Sequence, residues 1–386
     1  MNNDLIKVTD YKVLGKLPDP FTFEDGRKVR NKADWQERRK ELYKNVIELQ
    51  YGKQPPQPEF LQIEQLTEDT SAYLQYRITT GKKDAPISFT MYLRLPHSLN
   101  EGSAEKFPVV VSGDLCWNYW YNKEIWEQFA SSGVAVALFN RTELVPDRKK
   151  SGRNSGLYKV YPEYDFGAIG AWAWGYSRCV DALLKIGLVK EDQIVFTGHS
   201  RGGKTAALAG ALDERAALVH ANETCAGACG CYRVHMSAIA EDGKEYKSEK
   251  LENLLEHFDF WMGKGMSDYK DCEEKLPFDT HFLKAMIAPR IYFDAQAASD
   301  IWGNPIGAWQ SNMAAKEVFD FLGVPDNLYW YYRNGYHSFD SNDAKMLLAI
   351  IKHRFFGEEL NETFFETPFV EPELIFDWKN PNKKGK

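Results

Sequence analysis

The chain has 386 residues, 44% hydrophobic and 27% charged, with a formal net charge of −7. That is a globular composition with room for one large α/β domain or two ordinary ones. The negative balance, with basic residues gathered only at the closing Lys383-Lys384-Gly385-Lys386, excludes a nucleic-acid or anionic-membrane surface, and no apolar run approaches the ~20 residues that span a bilayer. Residues 1 to about 60 read as a lead-in: an extended stretch, then a charged amphipathic helix over 35–50 that stops at Tyr51-Gly52 before Pro55, Pro56 and Pro58. Alternating segments at 59–66, 72–78 and 87–95 predict antiparallel strands. After Pro96 the pattern changes to continuous apolar runs at 107–111 and 134–138, as expected of strands buried on both faces. Helices are predicted over 122–131 and 169–186, and further buried strands at 194–197, 216–219, 290–295 and 328–332. Such alternation gives a doubly wound, mostly parallel sheet with the antiparallel segments extending one edge. There is no internal repeat or linker, so residues 1–386 are read as one domain, with the charged stretch 232–280 expected to cap the carboxyl edge of the sheet.

The six cysteines, at 116, 179, 225, 229, 231 and 272, are sparse for this length and need no bridges. The Cys225-x3-Cys229-x-Cys231 cluster lacks zinc spacing, so neither metal nor cofactor is expected. The opening Met1-Asn2-Asn3-Asp4-Leu5-Ile6-Lys7 lacks the regions of a secretory leader. The expectation is a cytoplasmic protein, or a secreted one whose leader was removed beforehand. Trp, Tyr and Phe make up 14% of the chain, which suits a plain core or ring platforms for sugars.

The run Ile194-Val195-Phe196-Thr197-Gly198-His199-Ser200-Arg201-Gly202-Gly203-Lys204 is the most specific signal. A β-branched segment enters Gly-x-Ser-x-Gly, and a stretch of high helix propensity follows. A nucleophile elbow needs this context: the glycines let strand and helix pass closely, and the tight turn exposes the serine hydroxyl. The helix start supplies N–H groups for a developing oxyanion. The predicted fold class is therefore α/β, a three-layer α/β-hydrolase sandwich, and the chain reads as a serine hydrolase. The base is expected after the last core strand, where His337 sits in Arg333-Asn334-Gly335-Tyr336-His337. Two acids compete to orient it. Asp300 follows the 290–295 strand, where this fold normally carries its acid, and Glu223 ends the strand that begins at 216.

The stretch 197–233 resembles glucuronoyl esterases, carbohydrate esterase family 15, whose signature is Gly-Cys-Ser-Arg-x-Gly-Lys followed by a glutamate in a Ser-Gly-Ala-Gly-like segment. This sequence has Gly-His-Ser-Arg-Gly-Gly-Lys at 198–204 and then Glu223-Thr224-Cys225-Ala226-Gly227. Ala171-Trp172-Ala173-Trp174-Gly175, Leu276-Pro277-Phe278-Asp279-Thr280-His281 and Ile287-Ala288-Pro289-Arg290 are similar to further family blocks, and the likeness covers about 107–356. The resemblance implies Ser200 as nucleophile, His337 as base, and acid from Glu223, Asp300 or both. It further implies that Arg201 stabilises the oxyanion by its backbone N–H and guanidinium, and that Lys204 and Trp302 hold the uronate sugar. For Lys204, an ordinary solvated lysine is the alternative. His199 stands where the fungal members carry a cysteine, and Ser338 follows the base, so their loop-tying disulfide cannot form here.

The expected activity is cleavage of uronoyl esters of plant-cell-wall carbohydrate, of the 4-O-methyl-glucuronoyl methylesterase type. The expected partner is a carbohydrate ester, uronoyl or acetyl, with no nucleic acid and no membrane. A sugar acetyl esterase on the same fold is the runner-up. A silent carbohydrate-binding module is the reading from another class, and a peptidase is disfavoured because no propeller-length partner domain is present.

Overall fold

The computed structural model describes residues 10–68, 73–97, 106–239 and 243–383. The opening 1–9, Ala72 at the head of a predicted strand and the last three residues lie outside that set.

Among the described residues twelve strands follow in chain order: β1 Asp10–Val13, β2 Phe60–Gln65, β3 Tyr73–Gly81, β4 Pro86–Arg94, β5 Phe107–Ser112, β6 Ala135–Phe139, β7 Val189–His199, β8 Ala216–Asn222, β9 Val234–Ile239, β10 Glu245–Lys247, β11 Ile291–Ala297 and β12 Leu328–Arg333. Nine of them form one sheet in the order β12-β11-β8-β7-β5-β6-β4-β3-β2. The six from β12 to β6 are parallel, and β4, β3 and β2 join antiparallel. Burial explains the division. Every residue of β5 and β11 is buried, because helices cover both faces of a parallel sheet. Along β3 and β4, buried positions alternate with more exposed ones, the signature of a strand wet on one face.

Helices Ala168–Ile186 and Arg201–Leu212 pack on one face, the second springing directly from β7. Helix Ser341–Ile351 follows β12, with Asp340 as its N-cap accepting from the N–H groups of Asn342 and Asp343. The lead-in helix differs from its expected continuous form. It is α-helical over Lys32–Leu42, widens to π-type turns over Tyr43–Glu48 and closes at Leu49–Tyr51. Gly52 then takes φ +81 in a place where a Cβ would stand 2.6 Å from the Asp165 carbonyl, so only glycine lets the chain turn away there.

The second sheet was not expected. β1 pairs antiparallel with β9, and β9 with β10, so the lead-in is stitched to the 232–280 stretch more than 200 residues later. From β10 the chain reaches Glu249, whose N–H donates to the Trp302 carbonyl at 3.1 Å in the loop after β11. That contact brings the stretch to the carboxyl edge of the main sheet.

Candidate active site

Five strands that neighbour one another, β12-β11-β8-β7-β5, end along one edge, and each delivers a polar residue just past its last strand position. They carry His337, Asp300, Glu223, Ser200 and Asp114 respectively. A parallel sheet with helices on both faces leaves this edge as the open one, which is why chemistry gathers there.

Ser200 sits between β7 and helix Arg201–Leu212 with φ +55 and ψ −122, a backbone conformation that costs a non-glycine residue about 1–3 kcal/mol. Its N–H donates to the Asn222 carbonyl at 2.8 Å, and its own carbonyl accepts from Lys204 N–H at 3.0 Å. The flanking glycines are required by contact. A Cβ on Gly198 would collide with the Gly202 carbonyl, and one on Gly202 with the Asp114 carboxylate. Asp114 is fully buried beneath the turn, accepting from His199 N–H at 2.8 Å, from the Tyr119 hydroxyl at 2.7 Å and from Arg141 Nη1. The turn is thus braced from below, while the first N–H groups of the helix, which have no acceptor inside it, favour negative charge beside Ser200.

His337 is held at one ring nitrogen by two acids. Its Nδ1 lies 2.7 Å from Asp300 Oδ2 and 3.4 Å from Glu223 Oε2, which leaves Nε2 as the nitrogen free to exchange a proton. Burial opposes a charge on His337, but the Asp300 and Glu223 hydrogen bonds outweigh it and raise the imidazole to about 9. Glu223 is itself pushed up to about 8 by burial, against the hydrogen bond from His337 and the charge of Arg333. His199, the neighbour of Ser200, packs its ring 4.6 Å from that of His337 and bonds Asn222 Oδ1 at 2.6 Å. Burial, helped by the His337 charge, lowers His199 to about 3, so it stands as a neutral ring between the elbow and His337. All six cysteines are free, and the thiol of Cys225 shares this corner, its sulfur within 4.8 Å of ligand atoms of Asp300 and His337.

The remaining residues singled out from the sequence fall around this centre. The Arg201 guanidinium is already engaged, donating to Asp147 Oδ2 at 2.9 Å and lying 4.5 Å above the Trp261 ring. Lys204 is not a solvated lysine. It is 1% exposed, and its Nζ donates to Glu249 Oε2 at 2.8 Å and to the Thr224 carbonyl. Nor are the two acids solvated loop carboxylates, since Glu223 and Asp300 are both buried. Trp302 is 37% exposed, an accessible ring two residues past Asp300.

Four residues of the site escaped the sequence reading. Asp114 and Arg141 form the buried pair under the elbow, Glu249 neutralises Lys204, and Arg333 donates to Glu223 Oε1 at 2.5 Å. The acid directly past the apolar 107–111 run gave a usable signal for Asp114, by analogy with Asp300. Glu249, inside a charged stretch, offered none.

Comparison with known proteins adds the family. Residues 78–323 match the family model described as "Glucuronyl esterase, fungi". The 4-O-methyl-glucuronoyl methylesterase 1 of Wolfiporia cocos is 31% identical over 316 residues, 81% of this chain and 73% of that protein. A carbohydrate esterase family 15 glucuronoyl esterase from Caldicellulosiruptor kristjansonii superposes with a TM-score of 0.80 at 30% identity, covering 94% of this chain and 96% of its own. A glucuronoyl esterase mutant from Sporotrichum thermophile, solved with methyl 4-O-methyl-β-D-glucopyranuronate, superposes with a TM-score of 0.72 at 25% identity, covering 90% and 89%.

Proposed function

This chain belongs to the glucuronoyl esterases of carbohydrate esterase family 15, and on that premise we propose that it hydrolyses esters of 4-O-methyl-glucuronic acid in plant-cell-wall carbohydrate. It is a carboxylic ester hydrolase. The observation that carries the mechanism is the imidazole of His337, bonded by two carboxylates and packed beside the strained Ser200 elbow.

Ser200 Oγ attacks the uronoyl carbonyl carbon as His337 Nε2 takes its proton. The carbonyl oxygen becomes an oxyanion beside the Arg201 N–H and the helix start, with the Asp147-anchored guanidinium adding positive field. Collapse breaks the bond to the alcohol, which leaves with the proton returned by His337. Water, deprotonated by the same nitrogen, then attacks the acyl-enzyme, and the bond to Ser200 Oγ breaks as His337 returns the proton to that oxygen, releasing the uronic acid. Asp300 and Glu223 stabilise the imidazolium in both halves.

Lys204, Glu249 and Trp302 are assigned to the sugar. The buried Lys204–Glu249 pair offers a cation and an anion in fixed register for sugar hydroxyls, and the Trp302 ring supplies an apolar face. The deciding experiment compares benzyl glucuronate with acetylated xylo-oligosaccharides. Turnover of the first with little of the second is expected, and the reverse would make the protein an acetyl esterase.

A further inference from the structure

Arg333 is the last residue of β12, 4% exposed, and its guanidinium is the hub on which the Glu223 turn and the base-bearing loop converge. Nη2 donates to Glu223 Oε1 at 2.5 Å and stands 2.9 Å from the Tyr336 carbonyl and 2.8 Å from both the carbonyl and the hydroxyl of Ser338. Nε reaches the two oxygens of Asp343 at 3.2 and 3.0 Å, and Nη1 donates to the Asn334 carbonyl at 3.1 Å. The backbone takes part as well. The Arg333 carbonyl accepts from Ala298 N–H at 2.8 Å and the Gly335 carbonyl from Ser299 N–H at 3.1 Å, which ties down the segment leading to Asp300.

The loop that carries His337 is therefore wound around its own arginine. Gly335 makes the winding possible: its φ is +116, and a Cβ there would lie 2.7 Å from Arg333 Nη1. Glu223 closes the ring by accepting Ser338 N–H at 3.0 Å while reaching His337. A glutamate with no exposed surface needs a compensating charge, and among the described residues the arginine in contact with it is Arg333.

We propose that Arg333 is a positioning residue for ester hydrolysis, acting through Glu223: its guanidinium holds that carboxylate and the 334–338 loop in the one arrangement that puts a second acid on His337. The inference rests on the reading of Ser200 and His337 as nucleophile and base. Five donors in a planar fork suit the task, and a lysine, with a single point of charge, cannot bond Glu223, Asp343 and the loop carbonyls together.

The test uses the full chain and benzyl glucuronate. Arg333→Met is expected to lower kcat about tenfold or more with KM within about twofold, because the sugar contacts are untouched. Arg333→Lys should recover part of that loss. In a Glu223→Gln background the further loss from Arg333→Met or Arg333→Lys should shrink to threefold or less, since residues acting as a unit are non-additive. A change confined to KM, an unmoved kcat, or losses that multiply fully with Glu223→Gln would each overturn the proposal. If Arg333→Met does not fold, Arg333→Lys against Glu223→Gln carries the same cycle. Activity surviving in Ser200→Ala would instead overturn the nucleophile assignment, which separates the two failures.

Discussion

The two acids on His337 are built in different ways. Asp300 comes from the loop after β11, lies 2.7 Å from Nδ1, and among the described residues its side chain bonds no other partner. Glu223 comes from the turn after β8 with φ +46, lies farther off at 3.4 Å, and spends its other contacts on Arg333 and the Ser338 N–H. In the proposed mechanism, proximity gives Asp300 the part of orienting the ring. Anchorage makes Glu223 the group that supplies a fixed field and shapes the base loop. One imidazole thus receives a close, lightly braced acid and a remote, rigid one, and loss of either leaves the other in place.

The comparison has meaning only if both acids serve Ser200. Ser200→Ala should cut turnover of benzyl glucuronate by roughly four or more orders of magnitude while leaving the far-ultraviolet dichroism and melting temperature intact; near-native rates would dissolve the comparison. Next in size, Asp300→Ala and Glu223→Ala together should approach the cost of His337→Ala, and each alone should cost on the order of tenfold to a hundredfold. A single variant as dead as the double, with the other unaffected, would reduce the pair to one working acid.

A pH profile sharpens the contrast without abolishing activity. In the proposed mechanism the base works only when neutral, and His337 is raised to about 9, so kcat/KM should climb with pH toward that value. Asp300→Asn removes the nearer of the two carboxylates that favour the protonated ring, so the acid limb should move to lower pH. Glu223→Gln should move it in the same direction by less. A limb that shifts upward, or moves more for Glu223→Gln, would reverse the roles drawn above.

The smallest effects concern the sugar. Trp302→Ala should slow glucuronate-ester turnover several-fold and leave a small acetate ester nearly unchanged. Lys204→Met should do the same and also destabilise the fold by about 3–5 kcal/mol in denaturant titration, because it leaves Glu249 buried and unpaired. Equal losses on both esters would move these residues from substrate holding to structure.

Much of this was legible in the chain itself. The parallel strands announced themselves because burial on both faces forces unbroken apolar runs, as in Val109-Val110-Val111. Ser200 and His337 were singled out by turn chemistry and chain order, and the structure sets both past strand ends of the main sheet. What stayed hidden depends on closure in three dimensions. β1, β9 and β10 are only four, six and three residues long, too short for their alternation to stand out from loop. Arg333 and Glu249 look in sequence like any solvated charge, and only their burial opposite a second charge gives them a role. Lys204 shows the same limit from the other side: its spacing after Ser200 was readable, its partner was not.

The small β1-β9-β10 sheet has a kinetic consequence. Its first strand is made early and must wait for residues 234–247 before it can pair, and Glu249 lies two positions past the last strand. Loop closures this long form slowly, after local helices and hairpins. The Lys204–Glu249 pair is thus expected to assemble among the last contacts. In a refolding time course the sheet and elbow should form first, and specificity for the sugar should appear after the bare capacity to cleave a simple ester.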